Sequence, residues 1–224
     1  MPYIQLVYTN SFRSIWEYEE AFFSEKIEWN SVIGPYCPIC GASCGYRELT
    51  EYYRFVEELW PELKGFVPVA RFQCRGSHEG RTFSMLPYQL MPYQRYTVET
   101  VLKALLLWLE YSREQGEPVS AYRVVQTLSG ETDVTPWQLR KWLLVIRYGF
   151  LAAHGELCER YDFSAVSRAE GICGHLETVH GYIASFSRGP PVRVSAVMTV
   201  LHLYGQITGR FLFGCPSQSR RNAR

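Results

Sequence analysis

Two short stretches hold the residues with metal chemistry to offer. Cys37-Pro-Ile-Cys40-Gly41 is a knuckle pattern. Its two-residue gap lets two thiolates turn back onto one ion, and Gly41 relieves the tight turn. The second stretch, RFQCRGSHEGRTFS at 71–84, holds Cys74 and His78 among three arginines. Together they predict a Cys37, Cys40, Cys74 and His78 set, the donor types of a tetrahedral Zn²⁺ site with four protein ligands. Four filled positions leave none for a catalytic water, so the zinc is expected to be structural. Cys44 is the alternative to His78 as fourth ligand. A redox pair at CPIC is the competing chemistry, but it does not sit in a βαβ pattern. Uncoordinated thiols are the remaining alternative.

The other cysteines, Cys158, Cys173 and Cys215, are isolated. His154 beside Cys158 and His175 beside Cys173 are a conceivable second metal site, but helical periodicity places several of them on core faces, so core or surface filling is expected. Nothing in the chain announces catalysis. There is no Gly-rich phosphate loop, nucleophile elbow or HExxH. A ribonuclease-H-like transposase domain needs three acidic residues on a sheet to hold two metals. After residue 150 only Glu156, Glu159, Asp162, Glu170 and Glu177 remain, in helical-looking sequence. The chain is expected not to be an enzyme.

The 224 residues are 47% hydrophobic and 20% charged, the balance of a folded globular protein. No run of 18 apolar residues suggests a membrane span, and the N-terminus lacks a secretory pattern, so a cytoplasmic location without membrane contact is expected. A net charge of +1 hides an asymmetry. Residues 1–62 carry ten glutamates against four basic residues, whereas residues 63–224 carry nineteen basic residues against twelve acids. Such a split suggests an acidic lobe and a lobe that faces a polyanion.

The elements that must position these groups are predicted as follows. Residues 1–33 form an arm, with an extended YIQLVY stretch and an acidic helix around Ile15 to Trp29. Residues 34–92 form a zinc ribbon with a helical insertion. That helix is expected from Leu49 to Trp60, with Tyr52, Phe55, Val56 and Leu59 on one face. VPVARFQC then reads as a strand into Cys74, and RTFSMLPYQL as the return strand. Residues 93–150 read as three helices: Thr97 to Glu114, Ser120 to Leu128, and Pro136 to Tyr148 with Thr135 as N-cap. The last two have the plan of a helix-turn-helix, with Gln138, Arg140, Lys141 and Arg147 on the outer face and Gln138 and Lys141 aimed at a major groove. Residues 151–224 form a helical region with a basic tail, with helices at about Phe163 to Phe186 and Val192 to Tyr204. The expected fold class is therefore mainly α with a small β zinc ribbon.

The run from CPIC through RFQCRGSHEGRTFSMLPYQLMPYQRYTVETVLKAL resembles zinc-ribbon/helix-turn-helix proteins associated with bacterial transposases and other mobile elements. The resemblance covers about residues 34 to 148, and the RTFS, LP and PYQRY segments carry it more than either knuckle. It implies zinc through Cys37, Cys40 and Cys74, with His78 standing where a cysteine is usual at a gap one residue wider. It also implies double-stranded DNA as partner. Arg71, Arg75, Arg81 and Arg95 would meet DNA from the ribbon, and Gln138, Arg140, Lys141 and Arg147 from the helix-turn-helix. A recombinase or ATPase of the same element is a further expected partner. A protein-interaction adaptor, docking through the ribbon and the acidic aromatic lobe, is the second expected role.

Overall fold

The computed structural model describes residues 4–43, 45–76, 80–128, 133–164, 166–188 and 191–213. The chain divides into two compact units. One comprises residues 1–97 with 202–211, and the other residues 98–201 with the chain from Leu212 onward.

The first unit is built on a four-stranded mixed sheet in the order β1-β4-β3-β2. Its strands are β1 (Ile4–Tyr8), β2 (Tyr46–Leu59), β3 (Glu62–Cys74) and β4 (Thr82–Pro87). β1 runs parallel to β4, and the remaining pairs are antiparallel. Helices α1 (Ile15–Phe23) and α2 (Trp29–Ile33) lie between β1 and β2 in the chain. Ser14 caps α1 by accepting from the Glu17 N–H. This unit overturns the expectation of a mainly α chain with a small ribbon: the fold is α/β. The predicted helix from Leu49 to Trp60 is the long strand β2. The stretch is rich in Tyr, Phe, Val and Thr, which suit a pleated surface, and it has a thirteen-residue partner in β3. Alternation decides the point: Val56 is fully buried while its neighbour Phe55 is 37% exposed. A helix would have put both on the predicted apolar face.

Strand alternation gives the sheet two different faces. From the register, Ala70, Phe72 and Cys74 share one face with Phe83 and Met85. Val67, Val69 and Arg71 share the other with Ser84. On the first face an aromatic cluster forms the core, with Phe72 stacked on Phe83 at 5.3 Å and met edge-on by Trp29 and Tyr46. Tyr18 of α1 is buried there and donates its hydroxyl to the Pro68 carbonyl.

The second unit is helical. Helices α3 (Val98–Gln115), α4 (Ala121–Leu128) and α5 (Pro136–Ala152) fall where the sequence places them. The Thr135 hydroxyl accepts from the Gln138 N–H at 3.1 Å, as the capping pattern predicts. α5 runs through Gly149 instead of stopping before it. A side chain at Gly149 would strike the Leu212 carbonyl at 2.5 Å, so close packing explains this glycine. α6 (His154–Leu157) and α7 (Gly171–Ser187) follow, and of α8 (Val194–Thr208) the part up to Leu201 belongs to this unit. α7 begins later than the predicted Phe163, because a turn at Asp162, whose carboxylate accepts from the Ser164 N–H, occupies that segment. Trp108, Trp142, Phe150 and Tyr182 are buried at its centre, the last two stacked at 4.9 Å. Among the described residues, no helix is long and apolar enough to cross a membrane.

Candidate metal centre

The register of the β2–β3 hairpin assembles the cysteines. The knuckle at 37–41 lies just before β2, and Cys74 is the last residue of β3. Tyr46, the first residue of β2, pairs with Cys74. Two long strands therefore carry the chain out and back, returning Cys74 to the knuckle 34 positions after Cys40. The Arg75 N–H donates to the Gly45 carbonyl at 2.5 Å and extends this pairing past the strand ends.

The knuckle is closed by its own backbone. The Gly41 N–H donates to the Cys37 carbonyl at 2.7 Å, and the Cys37 N–H to the Ala42 carbonyl at 2.9 Å. Gly41 has φ +73°, the left-handed conformation that a side chain disfavours. Gly76 has a different reason. A Cβ there would stand 2.7 Å from the Cys40 sulfur, so only glycine lets the second segment approach the thiol this closely.

The sulfur atoms of Cys37, Cys40 and Cys74 all lie within 4.8 Å of one another. Those of Cys40 and Cys74 are 3.5 Å apart. Two thiolates at about 2.3 Å from one zinc in tetrahedral geometry stand about 3.8 Å apart, so the spacing fits. Cys37 and Cys74 are buried and Cys40 half-buried. Burial is the largest influence on Cys37 and pushes its thiol up. The backbone N–H groups of Ile39 and Cys40 pull the other way by bonding to the sulfur, and the neighbouring thiols of Cys74 and Cys40 raise it again. Donors aimed at a crowded, buried sulfur are what a metal-held thiolate uses. The three cysteines can bind a metal ion. The fourth-ligand candidates, His78 and Cys44, both lie outside the described residues.

The predicted nucleic-acid residues separate into groups. Arg75 and Arg81 are exposed and flank the cysteine cluster along the chain. Arg140 and Lys141 are exposed on the first half of α5, with Lys141 over the Trp137 ring at 5.1 Å. Gln138 is half-buried beside them. Arg147 is not on the outer face. Its side chain is buried and pairs with Glu170 at 3.3 Å, because α5 is covered on that side by the segment leading into α7. Arg95 is engaged by Glu57 at 3.3 Å and covers the Tyr96 ring at 5.0 Å. Arg71 lies on the sheet face opposite Cys74 and lines a cavity with Tyr52, Arg54 and Arg95. Sequence reasoning missed Gly76, for which proximity to Cys74 is the only signal, and missed Gln5, Tyr52 and Arg54 as neighbours of Arg71. The histidines and cysteines of the second unit form no metal-type cluster among the described residues.

No protein-family model matches the chain, and comparisons with curated proteins and with solved structures give no significant match.

Proposed function

We propose that this chain is a zinc-dependent, double-stranded-DNA-binding accessory or regulatory protein of a bacterial mobile element, without catalytic activity of its own. The observation that carries the reading is the three-thiol cluster at the end of the β2–β3 hairpin, two of its thiols buried, with the exposed Arg75 and Arg81 beside it in sequence. Zinc held by Cys37, Cys40 and Cys74, with His78 or Cys44 completing the set, would tie the knuckle to the end of β3. The ion would supply structural cross-linking only, and the chain's own arginines would meet phosphate. The helical unit supports the same reading separately. α4 packs on α5, and α5 presents Arg140 and Lys141 on the first two turns of a capped helix.

A gel-shift titration of zinc-loaded protein with duplex DNA, repeated across salt concentrations, tests this. Replacing Arg75 and Arg81 with alanine should weaken binding to all sequences alike. It should also flatten the salt dependence by about 0.9 per lost phosphate contact. Absence of duplex binding at low salt, with zinc retained, refutes the proposal. A second reading has its own observation. Trp137, Leu144 and Tyr148 stand exposed on α5 beside the cations, a mixture that also suits a protein partner such as a recombinase or ATPase. A stable, DNA-independent complex with such a partner, lost on Trp137→Ala, would favour this adaptor role.

A further inference from the structure

On the face of the sheet opposite Cys74, a cavity of about 600 Å³ opens within the first unit. Arg54, Arg71 and Arg95 line it, and no acidic residue does. The local structure explains how the arginines converge. Between Leu49 and Tyr52 the β2–β3 register shifts, so that Thr50 and Glu51 oppose Ala70 alone. This bulge reverses the alternation of β2. Without it, Tyr52 and Arg54 would point to the opposite face. With it, they join Arg71 of β3 and Gln5 of β1, which pair with the two sides of Ser84 on β4. The Gln5 amide reaches the Tyr52 hydroxyl at 3.5 Å across this face.

Polar groups at this largely apolar-lined cavity are incompletely satisfied. Arg71 Nε and Gln5 Oε1 are sealed from solvent and have no hydrogen-bond partner among the described residues. Arg95 is engaged by Glu57, and Arg54 donates to the Met91 and Gln94 carbonyls, which leaves Arg71 as the guanidinium with the unsatisfied Nε. Leaving a buried donor unbonded costs about 1–3 kcal/mol, and more when the group is charged. Arg71 as a whole is only half-buried, and a guanidinium matches a phosphate through parallel N–H donors, so a ligand with anionic acceptors suits it. At the rim, Tyr93 is held at φ +62°, a conformation unusual for a bulky residue, and the residue is 59% exposed. Backbone outliers of this kind cluster at ligand clamps. A phosphate site roofed by an exposed aromatic ring is the pairing used for nucleotides whose bases are free to stack.

We propose that this cavity binds a nucleotide 5′-phosphate, with the phosphate on Arg71 and the base against Tyr93. The ligand is either a mononucleotide or the 5′-phosphorylated end of a DNA strand. The inference does not rest on duplex binding by Arg75 and Arg81 or by α5, and its test uses neither.

The test is calorimetric titration of the zinc-loaded full chain with thymidine 5′-monophosphate, with thymidine, and with a short single-stranded oligonucleotide carrying or lacking a 5′-phosphate. The phosphorylated compounds should bind saturably, and their unphosphorylated counterparts at least tenfold more weakly. Tighter binding of the phosphorylated oligonucleotide than of the monophosphate assigns a strand end, and the reverse order assigns a free nucleotide. Arg71→Met should weaken phosphate binding roughly ten- to a hundredfold, as expected for losing a charge-assisted hydrogen-bonded pair. Arg71→Lys keeps the charge but not the fork and should fall between. Lys26→Ala, at an exposed lysine outside the cavity, should bind as the parent does. Should Arg71→Met fail to fold, Arg71→Lys and Tyr93→Ala, checked by melting and zinc content, carry the test. Three results overturn the proposal: no binding of either phosphorylated compound at millimolar concentration, equal binding of thymidine and its monophosphate, or full affinity in folded Arg71 variants.

Discussion

Replacing Gly76 with alanine should weaken metal binding although Gly76 is no ligand. An added Cβ would stand 2.7 Å from the Cys40 sulfur and 3.2 Å from the Ala42 Cβ. Comfortable non-bonded contact begins near 3.5 Å, so the sulfur or the backbone must retreat by roughly 0.8 Å. A metal site tolerates about 0.2 Å in its ligand distances. The retreat therefore moves Cys40 well outside the range in which it can share an ion with Cys37 and Cys74. Disturbing the groups that orient metal ligands costs about 10–100-fold in affinity. This displacement acts on a ligand directly, so the upper end is expected, about 100-fold or 2.8 kcal/mol at about 1.4 kcal/mol per decade. Competition against a chromophoric zinc chelator, on reduced protein, measures it. Gly155→Ala is the control, since nothing lies within 4 Å of the added carbon there. Zinc affinity unchanged in Gly76→Ala, with the control also unchanged, would refute the reasoning that Cys40 is a ligand in this geometry.

Cys74→Ser should reduce zinc from about one ion per chain to well below one by elemental analysis, and should lower the melting temperature of the first unit. In urea denaturation, Val56→Ala should cost about 1.5–3 kcal/mol, the value of a fully buried aliphatic side chain. Phe55→Ala, at a residue 37% exposed and in cross-strand contact with Phe66, should cost less, about 1 kcal/mol. Equal losses would contradict the strand assignment. The pKa of His180 is lowered from 6.5, first by burial and then by Arg113, whose Nη1 lies 3.4 Å from the ring, against the opposing pull of Glu177 and Glu110. A depressed histidine favours the folded state while neutral. Its contribution is therefore complete above 6.5 and lost as the pH falls through the lower folded value. His180→Gln should flatten the decline of melting temperature between about pH 7 and pH 5, and an unchanged slope would show that the ring is not strained by its surroundings.

Much of the helical unit is legible because its signals are local. Thr135, Pro136 and the periodic Leu139, Trp142, Leu143 and Ile146 lie within three turns of one another, and capping and burial follow from them. Arg147 is the exception. Its chemistry favours solvent, and only the segment bearing Glu170 gives it a reason to be inside. The segment YRELTEYYRFVEEL misleads for a related cause. Its apolar residues satisfy helical spacing as well as alternation, and the choice is made by β3, which offers a long edge for backbone pairing.

The candidate site divides in the same way. By itself the sequence determined the thiols on offer, the knuckle spacing and the glycine that closes the turn at Gly41, because a CxxC loop is a local geometric unit. It also determined the capped helix α5 and the exposure of Arg140 and Lys141. Only the tertiary structure decided that Cys74 returns to the knuckle at sulfur-contact distance, since that depends on the pairing of Tyr46 with Cys74 across a hairpin of two long strands. It alone decided that Gly76 must lack a side chain, and that the bulge between Leu49 and Tyr52 turns Tyr52 and Arg54 toward Arg71. Those facts are set by strand register, and a one-residue change in register sends every later side chain to the other face. Residue types do not encode that number singly. It emerges from the sum of the pairings.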